Sequence, residues 1–347
     1  MSTINTRILE ARGAFDQAFN AEALRDPFLG LLNVAKRSRL LSSINQSLLE
    51  NSWNKPSTAI PVIGRTTPTV NVGIPGCNDF GDSINETAMV RPTFAEFHVA
   101  ISMFDTEADN NEFSYEALFG RKLYDAEQQL AQEIETRLFT LLNTNKATTY
   151  NSELVGAGTF YPLAGDNLQV AGANQDRFFS DFPSIMASDD FGVMDFDVVA
   201  TPSIGRWLNY NTNQGQSNNQ NLAFQFDSYD YEFSRFIPAT AAVNAIASGF
   251  IMPKDTIGMY GRTGGSYAKN SQVGGGIQSW GTMESEKCGI TLNVGKKEGC
   301  GDASLVTGNA LDVSSLKEQW VLTASVVFLT PYTGGRTNSA IKGFDYV

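Results

Sequence analysis

The chain has 347 residues, a hydrophobic content of 42% and a formal net charge of −12, so it can fold around one large core or two ordinary ones. The negative charge argues against a general nucleic-acid-binding surface, which needs clustered Lys and Arg to neutralise phosphates. No window approaches about eighteen apolar residues, and the start of the chain lacks an uninterrupted apolar run, so we expect neither a membrane span nor a secretory signal.

Residues 1–57 are predicted to form an N-terminal arm that contains two amphipathic helices. Asp26 can cap the second helix, and Pro27 can occupy its first position, where the missing N–H costs nothing. Lys36, Arg37 and Arg39 are interpreted as a solvated helix face, not as a nucleic-acid patch. The apolar residues that predict the helices are Ile8, Leu9, Ala14, Phe15 and Phe19 in the first, and Leu29, Leu32, Val34, Leu40, Leu41 and Leu48 in the second.

Between Thr58 and Thr106 the composition changes to Val, Ile, Thr, Gly and Pro, which predicts a long two-stranded hairpin. The alternation at Thr69–Val72 and at Glu96–Val99 predicts its two limbs. Between them, Gly73–Asn85 has the chemistry of turns, so we expect an exposed and mobile tip. A two-stranded ribbon cannot bury apolar residues such as Val72 against itself, so a neighbouring surface must cover it.

The most extensive pattern predicts one long amphipathic helix over Phe113–Asn143. Arg121 with Asp125, and Glu133 with Arg137, stand four residues apart and can pair on its surface. Asp109 and Glu112 can close a capping box at its start. At about 1.5 Å per residue the helix would span roughly 45 Å, so we expect an elongated or flat molecule. The apolar residues that define its buried face are Phe119, Leu123, Ala126, Leu130, Ile134, Leu138 and Leu141.

After the long helix, the patterns alternate between helices and strands. Phe178–Met186 and Ser203–Tyr210 are predicted helices, and Asn209–Asn221 is a predicted polar loop. Val321–Phe328 is apolar enough to be buried on both faces, and its strand is predicted to return to the long helix. The predicted strands are Phe196–Ala200, Phe224–Ile237, Phe250–Met252, Ile257–Tyr260, Gly289–Val294 and Trp320–Leu329.

This order of elements resembles the major capsid protein of tailed double-stranded-DNA bacteriophages, the Hong Kong ninety-seven type capsid fold that encapsulin shells share. The resemblance covers nearly the whole chain. Beside the arm, the hairpin and the long helix, it rests on the strand Pro92–Phe104, on DFDVVATPSIGRWL at Asp195–Leu208 and on WVLTASVVFLTP at Trp320–Pro331. It implies an α+β fold made of an N-terminal arm (1–57), an extended β-hairpin loop (58–90), a peripheral region with the spine helix (91–150), an axial domain with its connections (151–319), and a return strand to the peripheral region with the C-terminus (320–347).

The resemblance also implies that function resides in surfaces. Subunits would form a homo-oligomer of hexamers and pentamers, with the extended loop lying over one neighbour and the arm reaching another. The resulting icosahedral shell would enclose double-stranded DNA in a virion assembled in the host cytoplasm. Scaffold, portal and decoration proteins are the implied partners, DNA contact would be weak and non-specific, and no membrane is involved.

Two features of the family are not expected here. Some members crosslink a lysine of the extended loop to an asparagine of a neighbour, but no lysine occurs between Lys55 and Lys122, so this crosslink is not predicted. Many members lose an N-terminal scaffold segment by proteolysis. The arm is too short for such a segment, and we expect no processing beyond loss of Met1.

The sequence predicts no catalytic, cofactor-binding or metal site. His98 is the one histidine, and its place in a strand is typical of a structural residue. Cys77, Cys288 and Cys300 lack the spacing of a zinc site or of a disulfide framework, so we expect reduced thiols.

The carboxylates and glycine-rich segments are assigned structural roles. Asp105, Glu107 and Asp109 are interpreted as helix-capping residues, and the groups at Asp189–Asp190 and at Asp227, Asp230 and Glu232 as polar turns. Gly261–Gly265 and Gly274–Gly276 lack a P-loop lysine and are predicted loops.

Two alternative functions remain open at this point. One is an encapsulin-like cargo compartment with the same fold. The other is a β-rich carbohydrate-binding or adhesive protein that uses residues such as Trp207, Tyr210 and Asp227.

Overall fold

The computed structural model describes residues 4–19, 27–39, 60–63, 87–90, 93–108, 112–192, 195–205, 229–238, 245–263, 279–301, 315–330 and 339–347. Within them lie four α-helices and thirteen strands, which confirms the α+β class. The helices are α1 (Ile4–Ala18), α2 (Gly30–Arg37), α3 (Tyr115–Asn145) and α4 (Phe178–Ser188).

The long helix α3 has 31 residues and confirms the predicted spine. Its start differs from the predicted capping box: Ser114 is the N-cap, and its hydroxyl accepts a hydrogen bond from the Ala117 N–H at 3.2 Å. Six of the seven predicted face residues are buried, but Leu141 is half-buried and Leu142 is buried in its place. The two predicted ion pairs at four-residue spacing both form.

The first sheet, called the spine sheet here, packs on α3. It consists of β10 (Ser279–Ser285), β11 (Ile290–Gly301), β12 (Ser315–Leu329) and β3 (Ala95–Phe104) in that spatial order, all antiparallel. Strand β9 (Gly258–Gly261) pairs with Val326–Leu329 at the end of β12. The predicted return of the last apolar strand to the spine is confirmed, since β12 pairs with the strand that leads into α3.

The second sheet has six strands, in the order β4 (Leu163–Ala164), β5 (Asn167–Val170), β13 (Lys342–Tyr346), β8 (Ala247–Pro253), β6 (Phe196–Ala200) and β7 (Tyr229–Phe233). The pairs β13–β5 and β6–β7 are parallel, and the other pairs are antiparallel. The predicted strand at Phe196–Ala200 is confirmed residue for residue. Strand β13, in the middle of this sheet, has no counterpart among the predicted strands.

The base of the predicted hairpin is present as β1 (Ile60–Ile63) paired antiparallel with β2 (Thr87–Val90). The predicted second limb at Glu96–Val99 is wrong, because those residues belong to β3 and pair with β12. The tip Gly73–Asn85 and Val72 lie outside the described residues. So do the loop 209–221 and most of the helix predicted at Ser203–Tyr210.

Two hydrophobic clusters hold the molecule together. One lies between α3 and the spine sheet, and it also takes in Ile8 of α1, Leu31 and Leu32 of α2, and Phe250 of the second sheet. The other lies between α4 and the opposite face of the second sheet, with Phe178, Phe182 and Phe344 fully buried. The second sheet is therefore covered on both faces, and α1 and α2 pack into the same cluster as the spine.

The arrangement of strands crosses some of the predicted segment limits. Strands β10 and β11 come before residue 320 in the chain but pair in the spine sheet, and β13 follows β12 but joins the second sheet. The domain limits at 57, 90, 150 and 319 themselves stay a prediction.

Candidate assembly surfaces

The hairpin β1–β2 forms a sheet of its own, joined to neither larger sheet. Two strands alone are at most marginally stable in water, because neither face of a ribbon is covered. The hairpin is therefore a candidate contact surface.

Strand β3, which follows the hairpin, is an edge strand. Its ten residues pair with β12 in an unbroken register, and no other described strand pairs with its second edge. Phe97, Val99 and Ile101 point towards α3 yet are only half-buried, while Glu96 and His98 are exposed on the other face. Long, flat edges with unpaired N–H and C=O groups favour pairing with another chain unless they are covered.

Helix α1 crosses α3 at close range. A Cβ placed on Gly120 of α3 would lie 2.3 Å from the carbonyl oxygen of Ala11 and 2.7 Å from the Cβ of Phe15, so only glycine fits at this crossing. Phe15 stacks on Tyr124 of α3, with ring centroids 5.2 Å apart, and Arg12 pairs with Glu127 at 2.7 Å. The arm helix is thus seated in a shaped site on the spine, although Leu9, predicted on its apolar face, is 67% exposed.

Helix α2 is held by a carboxylate of the spine. Glu135 is fully buried, and its two oxygens accept hydrogen bonds from the backbone N–H groups of Leu31 at 3.0 Å and Leu32 at 2.6 Å. These N–H groups belong to the first turn of α2, where no carbonyl of the helix can reach them. The prediction that Pro27 begins this helix is wrong, because α2 begins at Gly30 and takes its cap from a residue distant in sequence. Burial raises the pKa of Glu135, and these hydrogen bonds act in the opposite direction.

The basic residues Lys36 and Arg37 of α2 are exposed, as the sequence predicted, but both also make contacts within the protein. Arg37 pairs with Asp197 of β6 at 2.6 Å and with Glu232 of β7 at 3.3 Å. The Lys36 ammonium donates to the carbonyl oxygens of Glu286 and Lys287. These contacts hold α2 against both sheets, so the side chains are engaged within the protein and do not form a patch for phosphates.

A buried ion pair joins β13 to the end of α4. Lys342 Nζ lies 2.5 Å from Asp189 Oδ2, and the two side chains are 0% and 1% exposed. The other oxygen of Asp189 accepts from the backbone N–H of Asn151 at 2.7 Å, and the ring of Tyr150 lies 4.4 Å from the ammonium. Burial lowers the pKa of Lys342, and the bond to Asp189 opposes this. The turn predicted at Asp189–Asp190 is confirmed, but Asp189 is buried in it, whereas Asp190 is exposed and adopts the left-handed conformation, with φ 65°.

The other predicted carboxylate roles also change. Asp230 and Glu232 lie on strand β7, not in a turn, and Asp230 pairs with Lys254 at 3.1 Å. Glu107 follows β3 in a 3₁₀ turn and pairs with Lys122 of α3 at 2.5 Å, so it joins the spine sheet to the spine helix instead of capping it. Asp109 and Asp227 lie outside the described residues.

The histidine and cysteines considered as sites lie on separate elements of the described chain. His98 lies in strand β3, as predicted, and is exposed. Cys288 is buried, with its thiol 3.7 Å from the carbonyl oxygen of Glu127, and Cys300 is exposed; Cys77 lies outside the described residues. No described cluster of three or more His, Cys, Asp or Glu side chains could hold a metal ion. Gly261, predicted in a loop, is the last residue of β9.

A cleft of about 350 Å³ lies between α2, β9 and the start of β11. Its described lining contains no histidine, cysteine or carboxylate, which are the side chains that most often bind metal ions. It is formed by Ala35, Lys36, Ser38, Met259, Tyr260, Gly261, Gly289, Ile290 and Thr291.

Exposed apolar side chains are spread over several elements. Phe28 and Ile246 are 60% and 66% exposed, and Phe160 is 44% exposed with the Arg177 guanidinium over its ring at 4.5 Å. Large apolar side chains that water reaches in a monomer are candidates for burial between subunits. No helix in the described residues is long and apolar enough to cross a membrane.

No protein-family model and no curated protein matches this chain. Solved structures do match over most of its length. One is from Mycobacterium phage Che8, with 9% identity over 94% of this chain and 95% of that chain and a TM-score of 0.49. The capsid structure of the cyanophage P-SCSP1u has 11% identity over 83% of each chain, with a TM-score of 0.46. The capsid of Ralstonia phage GP4 has 10% identity over 83% of this chain and 82% of that chain, with a TM-score of 0.44.

The chain's own geometry decides its architecture. Two N-terminal helices, a separate hairpin and an edge strand lead into a 31-residue helix, β12 returns antiparallel to that edge strand, and a second sheet with its own helix completes the molecule. This is an α+β architecture.

Proposed function

We propose that this chain is a major capsid protein, which self-assembles through hexamers and pentamers into the icosahedral shell around the double-stranded DNA genome of a tailed bacteriophage. The hairpin β1–β2, which belongs to neither larger sheet, carries the proposal. Because a lone ribbon is marginally stable, it needs a surface to cover it, and repeated copies of the same chain supply that surface in a symmetric shell.

The receiving surface is the free edge of β3 with the adjoining side of α3. It offers a strand edge that no other described strand pairs with, together with the half-buried side chains of Phe97, Val99 and Ile101. Backbone hydrogen bonds would supply affinity, and the partly covered apolar side chains would gain further burial. The hairpin of one copy would thus lie against the edge strand of the next.

The charge of the chain fits a container for DNA. A net charge of −12 limits adhesion of the genome to the shell wall, and the basic side chains of α2 are engaged with Asp197, Glu232 and backbone carbonyls. The subunits would assemble in the host cytoplasm with scaffold, portal and decoration proteins as partners. The encapsulin-like alternative uses the same surfaces and differs in its contents.

Electron microscopy of the purified protein, with its size-exclusion profile, tests the proposal. Uniform shells or capsomer-sized rings are expected. Particles that contain DNA favour a virion, and particles that contain only protein cargo favour the encapsulin-like compartment. A monomer at every concentration, with or without a crowding agent, that binds sugars would instead favour the carbohydrate-binding alternative, whose residues Trp207, Tyr210 and Asp227 lie outside the described ranges.

Substitution at the receiving edge tests the surface itself. Ala100 is exposed on the face of β3 away from α3, so Ala100→Lys should leave the subunit folded, yet place a charge beside the strand edge along which the next copy is expected to pair. Ala187→Lys, at an exposed alanine of α4, is the matched control. We expect loss of shells with Ala100→Lys and with Val72→Asp in the hairpin, while circular dichroism stays unchanged. Normal shells from both variants would contradict the assignment of this surface.

A further inference from the structure

The carboxylate of Glu318, on β12, gathers donors from several elements. Its Oε1 accepts from Arg7 of α1 at 2.5 Å and from Lys296 of β11 at 2.7 Å. Its Oε2 accepts from the Tyr115 hydroxyl, at the first residue of α3, at 3.0 Å and from Trp320 Nε1 at 3.4 Å. The arm, the spine helix and the spine sheet therefore meet at one side chain, which is 8% exposed.

The surroundings of this carboxylate keep it ionised. Burial alone raises the pKa of Glu318, but the hydrogen bonds and charges of Lys296 and Arg7 outweigh it and lower the pKa below its ordinary value. The acidic groups nearest to this set of residues are Glu298, which pairs with Lys296 at 2.6 Å, and Asp105, which acts on Tyr115. Glu318 is thus a charged acceptor whose two oxygens are fixed from opposite sides, by cations on one and by neutral donors on the other.

We infer that Glu318 couples the seating of the arm helix α1 to the order of the first turn of α3 and of β11. While Arg7 occupies Oε1, the carboxylate cannot rotate, and Oε2 stays aimed at the Tyr115 hydroxyl. When α1 leaves and takes Arg7 with it, one of the two cations is lost, and the carboxylate can turn towards Lys296 and water. Tyr115 then loses its oriented acceptor, so the start of the spine helix loosens together with the arm.

The second ion pair of the arm provides an internal contrast. Arg12 pairs with Glu127, whose other oxygen accepts from Ser285, and none of these residues contacts the start of α3. Loss of Arg12 should therefore loosen residues 11–18 of α1 locally, while Arg7 stays bound to Glu318 and the effect does not reach Tyr115. The two arginines are similarly exposed, at 37% and 34%, which makes them a matched pair.

The role of this coupling in assembly rests on the proposed function. If α1 left its site to reach a neighbouring subunit, the first turn of the spine helix would loosen at the same time. The coupling itself is measured on the isolated subunit. If the chain forms shells but shows no coupling, only this inference is refuted. If the chain shows the coupling but forms no shells, only the proposed function is refuted.

Hydrogen–deuterium exchange of the full chain, read by mass spectrometry, tests the inference. Arg7→Gln should raise the exchange rates of residues 4–18 roughly two- to fivefold, the range for a partly exposed ion pair, with a parallel rise in residues 115–122 and 293–300. Arg12→Gln should raise exchange in residues 11–18 alone, because Arg7 still holds the first part of α1 on Glu318. Glu318→Gln should raise it in all three segments, and adding Arg7→Gln to it should change little.

The outcome that overturns the inference is a rise confined to residues 4–18 in Arg7→Gln, because the arm would then leave without any effect on the spine. If Glu318→Gln fails to fold, the comparison of Arg7→Gln with Arg12→Gln decides alone, since both change partly exposed side chains. Equal spread of exchange in both arginine variants would also overturn it, because Glu318 would then have no special part.

Discussion

Replacement of Lys342 by methionine should be among the most destabilising single changes in this chain. It leaves Asp189, 1% exposed, as a buried anion whose one remaining bond comes from the Asn151 N–H. Removal of one partner of a buried ion pair costs about 3–5 kcal/mol, because the remaining charge is neither solvated nor neutralised. Packing adds little to this cost, since methionine fills much of the space of the lysine stem beside Tyr150.

The double variant Lys342→Met with Asp189→Asn separates the charge effect from the packing effect. Asparagine keeps an acceptor oxygen for the Asn151 N–H but carries no charge, so the buried anion disappears. We expect the double variant to lie within about 1–2 kcal/mol of the parent protein, so the second substitution should recover about 2–3 kcal/mol of the stability that Lys342→Met loses. The pair would then be a device that keeps β13 in its place, not a large net source of stability.

Urea unfolding followed by tryptophan fluorescence and circular dichroism measures these free energies. The control is Lys254→Met, which removes a partner of Asp230 from a pair whose side chains are 39% and 45% exposed, and should change stability by about 0.5 kcal/mol or less. A cost below about 1 kcal/mol for Lys342→Met would refute the reasoning, because it would mean that Asp189 finds water or another cation. A double variant no more stable than Lys342→Met would refute it as well.

Three further changes test the other seats. On an exposed helix face, replacing glycine by alanine stabilises the helix by about 1 kcal/mol, but in Gly120→Ala the new Cβ would clash with α1. We therefore expect a net loss of about 1–2 kcal/mol in the free energy of unfolding, measured by thermal unfolding, and faster hydrogen exchange in α1. Unchanged or higher stability would contradict the close crossing. Glu135→Ala leaves two buried N–H groups of α2 without an acceptor and should lower the free energy of unfolding by about 1–3 kcal/mol. The control Glu133→Ala, at an exposed position of the same helix, should lower it by a few tenths of a kcal/mol. Equal losses would contradict the role of Glu135 as the cap of α2. At pH 8, iodoacetamide should label exposed Cys300 well before Cys288, because burial raises the pKa of the Cys288 thiol to about 11; equal rates in the folded protein would contradict its burial.

The spine helix could be predicted because its signal is local. A stripe of apolar residues at three- and four-residue steps depends only on the helix itself and on the presence of some apolar partner. Even so, the stripe drifts: seven-residue steps do not match 3.6 residues per turn, and by the last turn Leu142 has replaced Leu141 on the buried face. The edge strand β3 was found for a similar reason, but its partner was assigned wrongly, because alternation does not say which strand lies beside it.

The elements that sequence reasoning missed are those whose partners are distant in the chain. Strand β13 has the sequence KGFDY, and its Lys342 and Asp345 are typical of a surface loop. Both are fully buried, because Asp189 pairs with the lysine while Asn167 and Gln169 donate to the aspartate. These partners are more than 150 residues away in the chain, so the sequence around β13 does not indicate them. The start of α2 was misplaced in the same way, since its cap comes from Glu135.

The buried acidic residues of α3 suggest how the N-terminal helices can bind at defined positions on the spine and still be released. Glu127 and Glu135 are eight residues apart, about two turns or 12 Å, and each holds one N-terminal helix, α1 through Arg12 and α2 through its first-turn N–H groups. The apolar stripe of the same helix packs on the spine sheet. Hydrophobic contact is favourable but has little directional preference, whereas a carboxylate accepts a hydrogen bond only from a donor that is correctly positioned. An N-terminal helix that leaves its seat would therefore expose a carboxylate to water, which solvates it well, and leave the packing between the spine and its sheet in place. We therefore expect that α1 can leave while the spine helix, beyond its first turn, stays packed on its sheet.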